Sequence, residues 1–400
     1  MMKYFLPFLT FLTLCGSIFA QTDTAKVPQP LYTDSSRLRI SLVTCGPGDE
    51  AVWEVFGHTA IRVVDSSNHL DLVYNYGTFD YGPGFELQFM RGKLLYSLSV
   101  YDFSGFLPEY AIAKRSLEEQ VLIMNGKQKR EMYALLNKNA EPANKYYKYD
   151  FFFDNCATRI RDVFPRTFGD GFVYGLSIPV TSKETFRDVI NRYFHKDHWT
   201  RLGVNILLGS KIDRVMTNSD IMFLPDYLRD GVAGATVGGQ KIAMPAKVML
   251  PSGQVTVEGM NQPLILTCLI ALLTILGLTQ KKFHRLGSVM TFLLLFVSGL
   301  LGCLILVMWL ATDHQGCSNN YNLLWCLPLN IFIAFFNPKG KGRYALVAIV
   351  LMFVSLFLHI TKVQGLTLPE LSPLFVALLF VYGMIYKKSL IAKASAHAGN

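Results

Sequence analysis

"YDFFFDNCATRIRD", residues 149–162, places one cysteine between an aromatic run and a short charged segment with helical spacing. Asn155 reads as the N-cap and Cys156 as the first helical residue. A helix N-terminus turns unpaired amides and partial positive charge toward that sulfur. Arg159 and Arg161 follow within two turns and add positive field. Such surroundings favour thiolate over thiol, which is how a reactive cysteine is made. The stretch therefore predicts a nucleophile at the start of a helix.

A thiol nucleophile needs a base. His58 opens the strand-like run "HTAIRVV" (58–64) directly after Gly57, where a side chain can face a cleft. "DSSNHL" supplies turn formers and "DLVYNYG" (71–77) the return strand. If the hairpin turns at 66–69, His58 lies opposite Gly77 and Ala60 opposite Asn75. With a side-chain period of two, His58 and Asn75 then share a face, and Asn75 accepts the ring N–H and fixes the tautomer. Cys156, His58 and Asn75 complete a thiol-nucleophile constellation. A lone histidine on a strand has a plainer reading as a hydrogen-bonded structural residue; the capped cysteine is what favours catalysis.

Around these residues the chain reads as α+β, a small antiparallel sheet with flanking helices. "RISLVTCG" (39–46) predicts a strand entering a Gly-Pro-Gly turn, "FELQFMRG" (85–92) a short helix, and "KLLYSLSVYD" (93–102) and "RSLEEQVLIM" (115–124) strands. "GKQKREMYALLNKN" (126–139) has helical spacing with Asn139 as its stop, residues 181–201 read as helical, and the Gly-rich 230–254 as hairpins.

The ends of the chain set its compartment. Residues 1–20 carry one lysine, an apolar core and a small final residue, the pattern of a secretory signal cut after Ala20. A lipoprotein signal through Cys15 is the rival, weakened by bulky Leu14. A mean hydropathy of +0.29 alongside 17% charged residues puts part of the chain in lipid. Apolar runs at 263–279, 287–311, 323–337, 344–360 and 373–386 predict about five transmembrane helices. The segments 281–285 and 338–343 and the tail from Lys387 are basic, whereas 313–320 and 361–370 are nearly neutral. Positive segments stay cytoplasmic, so residues 21–261 lie in the periplasm and the C-terminus in the cytoplasm. The expected division is a signal peptide (1–20), a periplasmic domain (21–261) and an all-α transmembrane bundle (262–400) in the inner membrane. The net charge of +9 follows from this topology and points to no nucleic-acid partner.

Of 7 cysteines, only Cys45 and Cys156 fall in the soluble domain, and a disulfide between them is the structural alternative. Glu54 and His58 have the i, i+4 spacing of metal ligands, but Gly57 argues against a helix there, so neither a metal nor a cofactor is expected. "TCGPGDE" (44–50) reads as a tight turn able to close over the site, and "HKDH" (195–198) as a solvated or membrane-facing segment. Tyr146, Tyr147, Tyr149 and Phe151–Phe153 either line an acyl pocket or form a domain core or a membrane-interface belt. Tyr74, Tyr149, Arg62 and Arg159 are the substrate-binding candidates; Arg91 and Arg115 are further arginines able to meet lipid phosphate.

"FGHTAIRV" (56–63), "YNYGTFDY" (74–81) and "YDFFFDNCATRIRD", in that order, resemble the circularly permuted NlpC/P60 (papain-like) enzymes, in which the His strand precedes the Cys helix. With the signal peptide and C-terminal spans, nearly the whole mature chain is similar to the Bacteroides-type lipoprotein N-acyltransferase (Lnb) family. The resemblance implies His58 as base and Cys156 as acylated nucleophile, while Asn75 rests on the strand argument alone. It also implies the partners: a membrane phospholipid as acyl donor and a diacylated lipoprotein amine as acceptor. A membrane-anchored cysteine amidase or peptidase of cell-wall peptides, and a disulfide-bonded non-catalytic scaffold, are the competing readings.

Overall fold

The computed structural model describes residues 35–49, 52–79, 82–93, 95–194, 198–253, 259–336 and 340–398. The signal segment and most of "HKDH" lie outside these residues. Two compact units emerge: one holds the chain up to Thr181 with Thr217–Gln254, the other Ser182–Met216 with the chain from Val255 onward.

The strands are β1 (Leu38–Cys45), β2 (His58–Asp65), β3 (Leu70–Thr78), β4 (Leu95–Asp102), β5 (Leu117–Val121), β6 (Tyr146–Lys148), β7 (Phe172–Val173), β8 (Thr236–Val237), β9 (Gln240–Lys241) and β10 (Lys247–Leu250). Seven of them form the main sheet of the first unit, in the order β10-β5-β1-β2-β3-β4-β6, and β7-β8-β9 a small second sheet. Every pairing is antiparallel. The first unit also carries α1 (Phe85–Met90), α2 (Phe103–Ile112), α3 (Gly126–Ala140) and α4 (Cys156–Phe168). The second unit takes α5 (Phe186–Tyr193) and α6 (His198–Leu207), the first α7 (Asn218–Ile221) and α8 (Pro225–Ala233).

β1 reads LRISLVTC and is buried at every residue but Arg39, because helices cover both faces of the sheet at its centre. On one face Ile40, Leu42, Ile61, Val63 and Tyr74 pack with Leu136 of α3 and Ile160 and Phe164 of α4. On the other, Val43, Ala60 and Val73 meet Phe103, Phe106 and Tyr110 of α2. Each fully buried Leu, Ile or Phe contributes roughly 1.5–3 kcal/mol. The sequence reading did not foresee α2, whose Gly105 and Pro108 break the helical pattern. Burial of Phe103, Phe106 and Tyr110 against the sheet outweighs that weak local preference. α3 ends at Ala140, one residue past the expected stop; Asn139 instead donates to the Tyr76 hydroxyl at 2.9 Å.

The second unit adds α9 (Gln262–Thr279), α10 (His284–Leu310), α11 (Asn330–Phe335), α12 (Lys341–Ile360) and α13 (Leu368–Ala398). Among the described residues, 4 helices are long and apolar enough to cross a membrane. The expected span at 323–337 is not one of them: it is a 3-10 turn, Tyr321–Leu324, followed by the 6-residue α11. Pro328 and Asn330 interrupt the apolar run, and the chain there packs on small residues of α10. A Cβ at Gly299 would come 2.6 Å from the Ile331 nitrogen. Non-helical backbone at membrane depth is tolerated where protein surrounds it. Arg187 of α5, 3% exposed, binds Asp213 and the carbonyls of Leu208 and Gly209, while Asp213 also accepts from the amide of Gly365. Residues 182–216 thus pack with the apolar half although they precede it in sequence.

Candidate active site

The turn before α4 is tied at both ends. Asp150 accepts from the amides of Phe152 and Phe153, and the Asp150 and Asp154 backbones exchange hydrogen bonds. Asn155 then caps the helix as expected: its Oδ1 accepts from the Thr158 amide at 2.9 Å, and Thr158 Oγ1 accepts from the Asn155 amide at 2.7 Å. Its Nδ2 donates to the carbonyls of Phe151 and Phe223, both at 2.8 Å. Cys156 follows as the first helical residue, 8% exposed. Backbone amides of Thr59, Ala157 and Cys156 itself face its sulfur and favour the anion, yet burial outweighs them and pushes the thiol up to about 11. The sequence expectation of a ready thiolate is therefore corrected: desolvation disfavours the charged form more than the helix terminus favours it.

β2 and β3 pair Asp65 with Leu70 and Ile61 with Tyr74, the register expected from a turn at 66–69. His58 and Asn75 consequently share a face, and His58 Nε2 lies 2.6 Å from Asn75 Oδ1. An amide oxygen only accepts, so Nε2 carries the proton and Nδ1 keeps a free lone pair. Asn75 Nδ2 in turn donates to the Tyr101 hydroxyl at 3.0 Å. Burial lowers the His58 imidazole to about 4, against the hydrogen bond it donates to Asn75 and with help from the Arg115 charge. Thiol and imidazole are thus both neutral at rest.

Glycines shape this corner. Gly57, at φ +75°, precedes His58 where a Cβ would come 2.6 Å from the Cys45 carbonyl oxygen. At Gly77, φ +92°, a Cβ would lie 3.6 Å from Cys156 Cβ and 4.0 Å from His58 Cε1. The missing side chain leaves open the space between Cys156 and His58.

Residues 31–192 match the Lnb N-terminal periplasmic domain and residues 255–393 the Lnb transmembrane domain. The chain belongs to the Lnb family. No curated protein and no solved structure matches it. Membership makes it a membrane protein with a periplasmic domain and points to an acyltransferase of the lipoprotein N-acyltransferase type.

The remaining candidates of this Lnb-family chain divide. Tyr149 stacks on Tyr96 at 4.1 Å, close enough to Cys156 for the thiol's charge to raise the cost of ionising the Tyr149 phenol, on top of burial. Arg159 is held by Asp154 at 2.5 Å and lies 4.1 Å over the Tyr147 ring. It lines a cavity of about 370 Å³ with Tyr76, Asn139 and Arg166. Tyr74 and Arg62 are corrected. Tyr74 is fully buried on the α3 side, donating to Asn137 at 2.5 Å, because its neighbour Asn75 takes the opposite face. Arg62 is engaged by Asp71 at 2.6 Å and Glu119 at 3.3 Å and lies 3.7 Å over Phe103. Neither offers a group to substrate.

Cys45 and Cys156 are both free thiols, which removes the disulfide alternative. Cys45 pairs with His58 across β1 and β2, and burial pushes its thiol to about 12. Glu54 binds Arg115 at 3.3 Å, and Arg115 also donates to the Gly46 carbonyl at 2.9 Å. Arg115 therefore braces the loop leading to His58, a role its position in sequence did not disclose. Among the described residues no group of His, Cys, Asp and Glu has the arrangement to hold a metal ion.

Proposed function

We propose that this chain moves a fatty acyl group from a membrane phospholipid, through a thioester on Cys156, to the α-amino group of a lipoprotein's N-terminal diacylglyceryl-cysteine. His58 Nδ1 takes the thiol proton as sulfur attacks the ester carbonyl, then gives it to the leaving oxygen, releasing a lysophospholipid. In the second half the acceptor amine attacks the thioester, His58 takes the amine's proton, and the sulfur leaves and is reprotonated. Asn75 holds the imidazole in the tautomer both halves need. The order His58, Asn75, Cys156 along the chain fits a permuted NlpC/P60-like domain, here assigned to the periplasm, with residues 262–400 in the inner membrane.

One observation carries the preference for a lipid donor over a wall peptide. A string of rings leads from the surface to the cysteine: Phe89, Phe85, Phe79, Tyr96 and Tyr149, with successive centroids 5.9, 5.2, 5.1 and 4.1 Å apart. Its outer end is α1, where Leu87, Phe89 and Met90 are 48%, 38% and 49% exposed beside the exposed Arg91 and Lys93. Apolar surface with flanking cations suits a bilayer interface and an acyl chain; it offers a polar peptide little.

Incubation of the full-length protein with phospholipid vesicles tests the reading. Mass spectrometry should find one fatty-acyl addition on the Cys156 peptide, removable by hydroxylamine. A diacylated lipopeptide with a free amine should discharge it to a triacylated product, and an amine-blocked one should not. Adduct formation from a wall peptide, or discharge by water at a comparable rate, favours the amidase instead.

A further inference from the structure

Tyr147 sits on β6, paired with Tyr96 of β4 at the sheet edge beside α4. The residue is 6% exposed, and its hydroxyl is buried without a hydrogen-bond partner. Leaving such a group unpaired costs about 1–3 kcal/mol. A buried hydroxyl kept in that state is accounted for when its partner is a ligand.

Its location says which ligand atom. A side chain at Gly77 would lie 3.9 Å from the Tyr147 hydroxyl, 3.6 Å from Cys156 Cβ and 4.0 Å from His58 Cε1. The phenol therefore borders the same open space as nucleophile and base. Arg159 lies 4.1 Å over the ring and is itself fastened by Asp154, so the phenol is fixed in direction before substrate arrives. Burial holds it well above the ordinary phenol range, so it enters the reaction as a donor and keeps its proton.

We propose that Tyr147 is a catalytic residue whose O–H donates a hydrogen bond to the acyl carbonyl oxygen as that oxygen becomes an oxyanion. When the sulfur–carbon bond forms, the carbonyl π pair moves onto oxygen; the phenol and the backbone N–H of Cys156 receive that charge. The same pair serves the second tetrahedral intermediate, formed by the acceptor amine. No proton leaves Tyr147 in either half. The assignment rests on the acyl-transfer reading above and adds a named donor to it.

Tyr147→Phe in the full-length protein tests the donor. Single-turnover acylation of Cys156 from phospholipid vesicles should slow by about 10²–10³-fold, the usual loss for one oxyanion donor. Alkylation of Cys156 by iodoacetamide passes through no oxyanion and should keep its wild-type rate. The melting temperature should hold or rise, because no bond in the resting protein is lost. Acylation close to the wild-type rate overturns the assignment. Equal slowing of acylation and alkylation overturns it too, since Tyr147 would then only position the thiol. Failure of the variant to fold does the same, as an unpartnered hydroxyl has no folding role to lose. A wild-type protein that gains no hydroxylamine-labile acyl group refutes the acyltransferase reading itself, whatever the variant does.

Discussion

At Cys156 two effects oppose each other: three amides favour the anion and burial favours the thiol, and burial prevails. On the proposed mechanism the proton then moves to His58 during attack, and kcat/KM for acylation should stay level from just above about 4 to just below about 11, where base and thiol titrate. A preformed thiolate–imidazolium pair would instead lose rate near pH 8–9, as its imidazolium deprotonates, roughly. Stability carries the same signature. The folded His58 titrates at about 4, below its ordinary 6.5, so the unfolded chain binds the extra proton and this contribution is lost as pH falls from about 6.5 toward 4. His58→Ala should flatten that part of the acid-unfolding curve and slow acylation by about 10²–10⁴-fold. Cys156→Ser should abolish turnover with the melting temperature unchanged, and Asn75→Ala should cost less than His58→Ala because it only orients the base. The pairing of His58 with Asn75 was legible in sequence because one turn fixes the hairpin register. Tyr101, Tyr147 and Arg115 were not, because each acts across the sheet from a distant strand or loop. The balance of burial against amides has no sequence signal at all.

Elements show the same division between local and distant causes. The start of α4 was readable from Asn155–Cys156 because a cap is a contact over three residues. Asn155 also ties two carbonyls from separate segments, so Asn155→Ala should destabilise the first unit by about 2 kcal/mol or more in chemical denaturation, the sum of a lost cap and unpaired buried groups. α2 was hidden by Gly105 and Pro108, and only its packing on the sheet reveals why it forms. The apolar run at 323–337 fails to form one long helix for the opposite reason: composition registers hydrophobicity and ignores Pro328. α1 offers a test of how substrate enters. Leu87→Glu with Met90→Glu adds two charges to exposed apolar positions, and should cut turnover on phospholipid vesicles at least tenfold, roughly the effect of charges at a lipid interface. Hydrolysis or transfer from a short-chain soluble ester should be unchanged. Equal losses on both substrates would mean that α1 supports the site and does not meet lipid.

For the whole molecule the question is how many times the chain crosses. Counting only long helices among the described residues gives 4, with no crossing between α10 and α12. Contacts inside the second unit argue otherwise. Asn320 accepts from Gln364, just beyond the C-terminal end of α12, whereas Asn330 accepts from Tyr344, near that helix's start. The stretch of α12 from Tyr344 to Ile360 is about 24 Å long at about 1.5 Å per residue. The chain from Asn320 to Asn330 therefore travels most of the length of α12, and we propose that it crosses as a broken run of turns and one short helix. Buried polar groups hold it there: Asn330 also accepts from Tyr382 at 2.9 Å and donates to Ser298 at 2.9 Å. On that proposal the basic sequence segments 281–285, 338–343 and the tail from Lys387 would all lie on one side, as the positive-inside rule requires. A periplasm-active reporter fused after Ser318 should be active and one fused after Lys341 silent. Equal activity at both positions would mean that 311–340 doubles back, and the cytoplasmic assignment of the C-terminus would fall with it. Asn330→Leu should leave that pattern intact while lowering thermal stability in detergent, by roughly 1–2 kcal/mol for interhelical hydrogen bonds lost in an apolar setting.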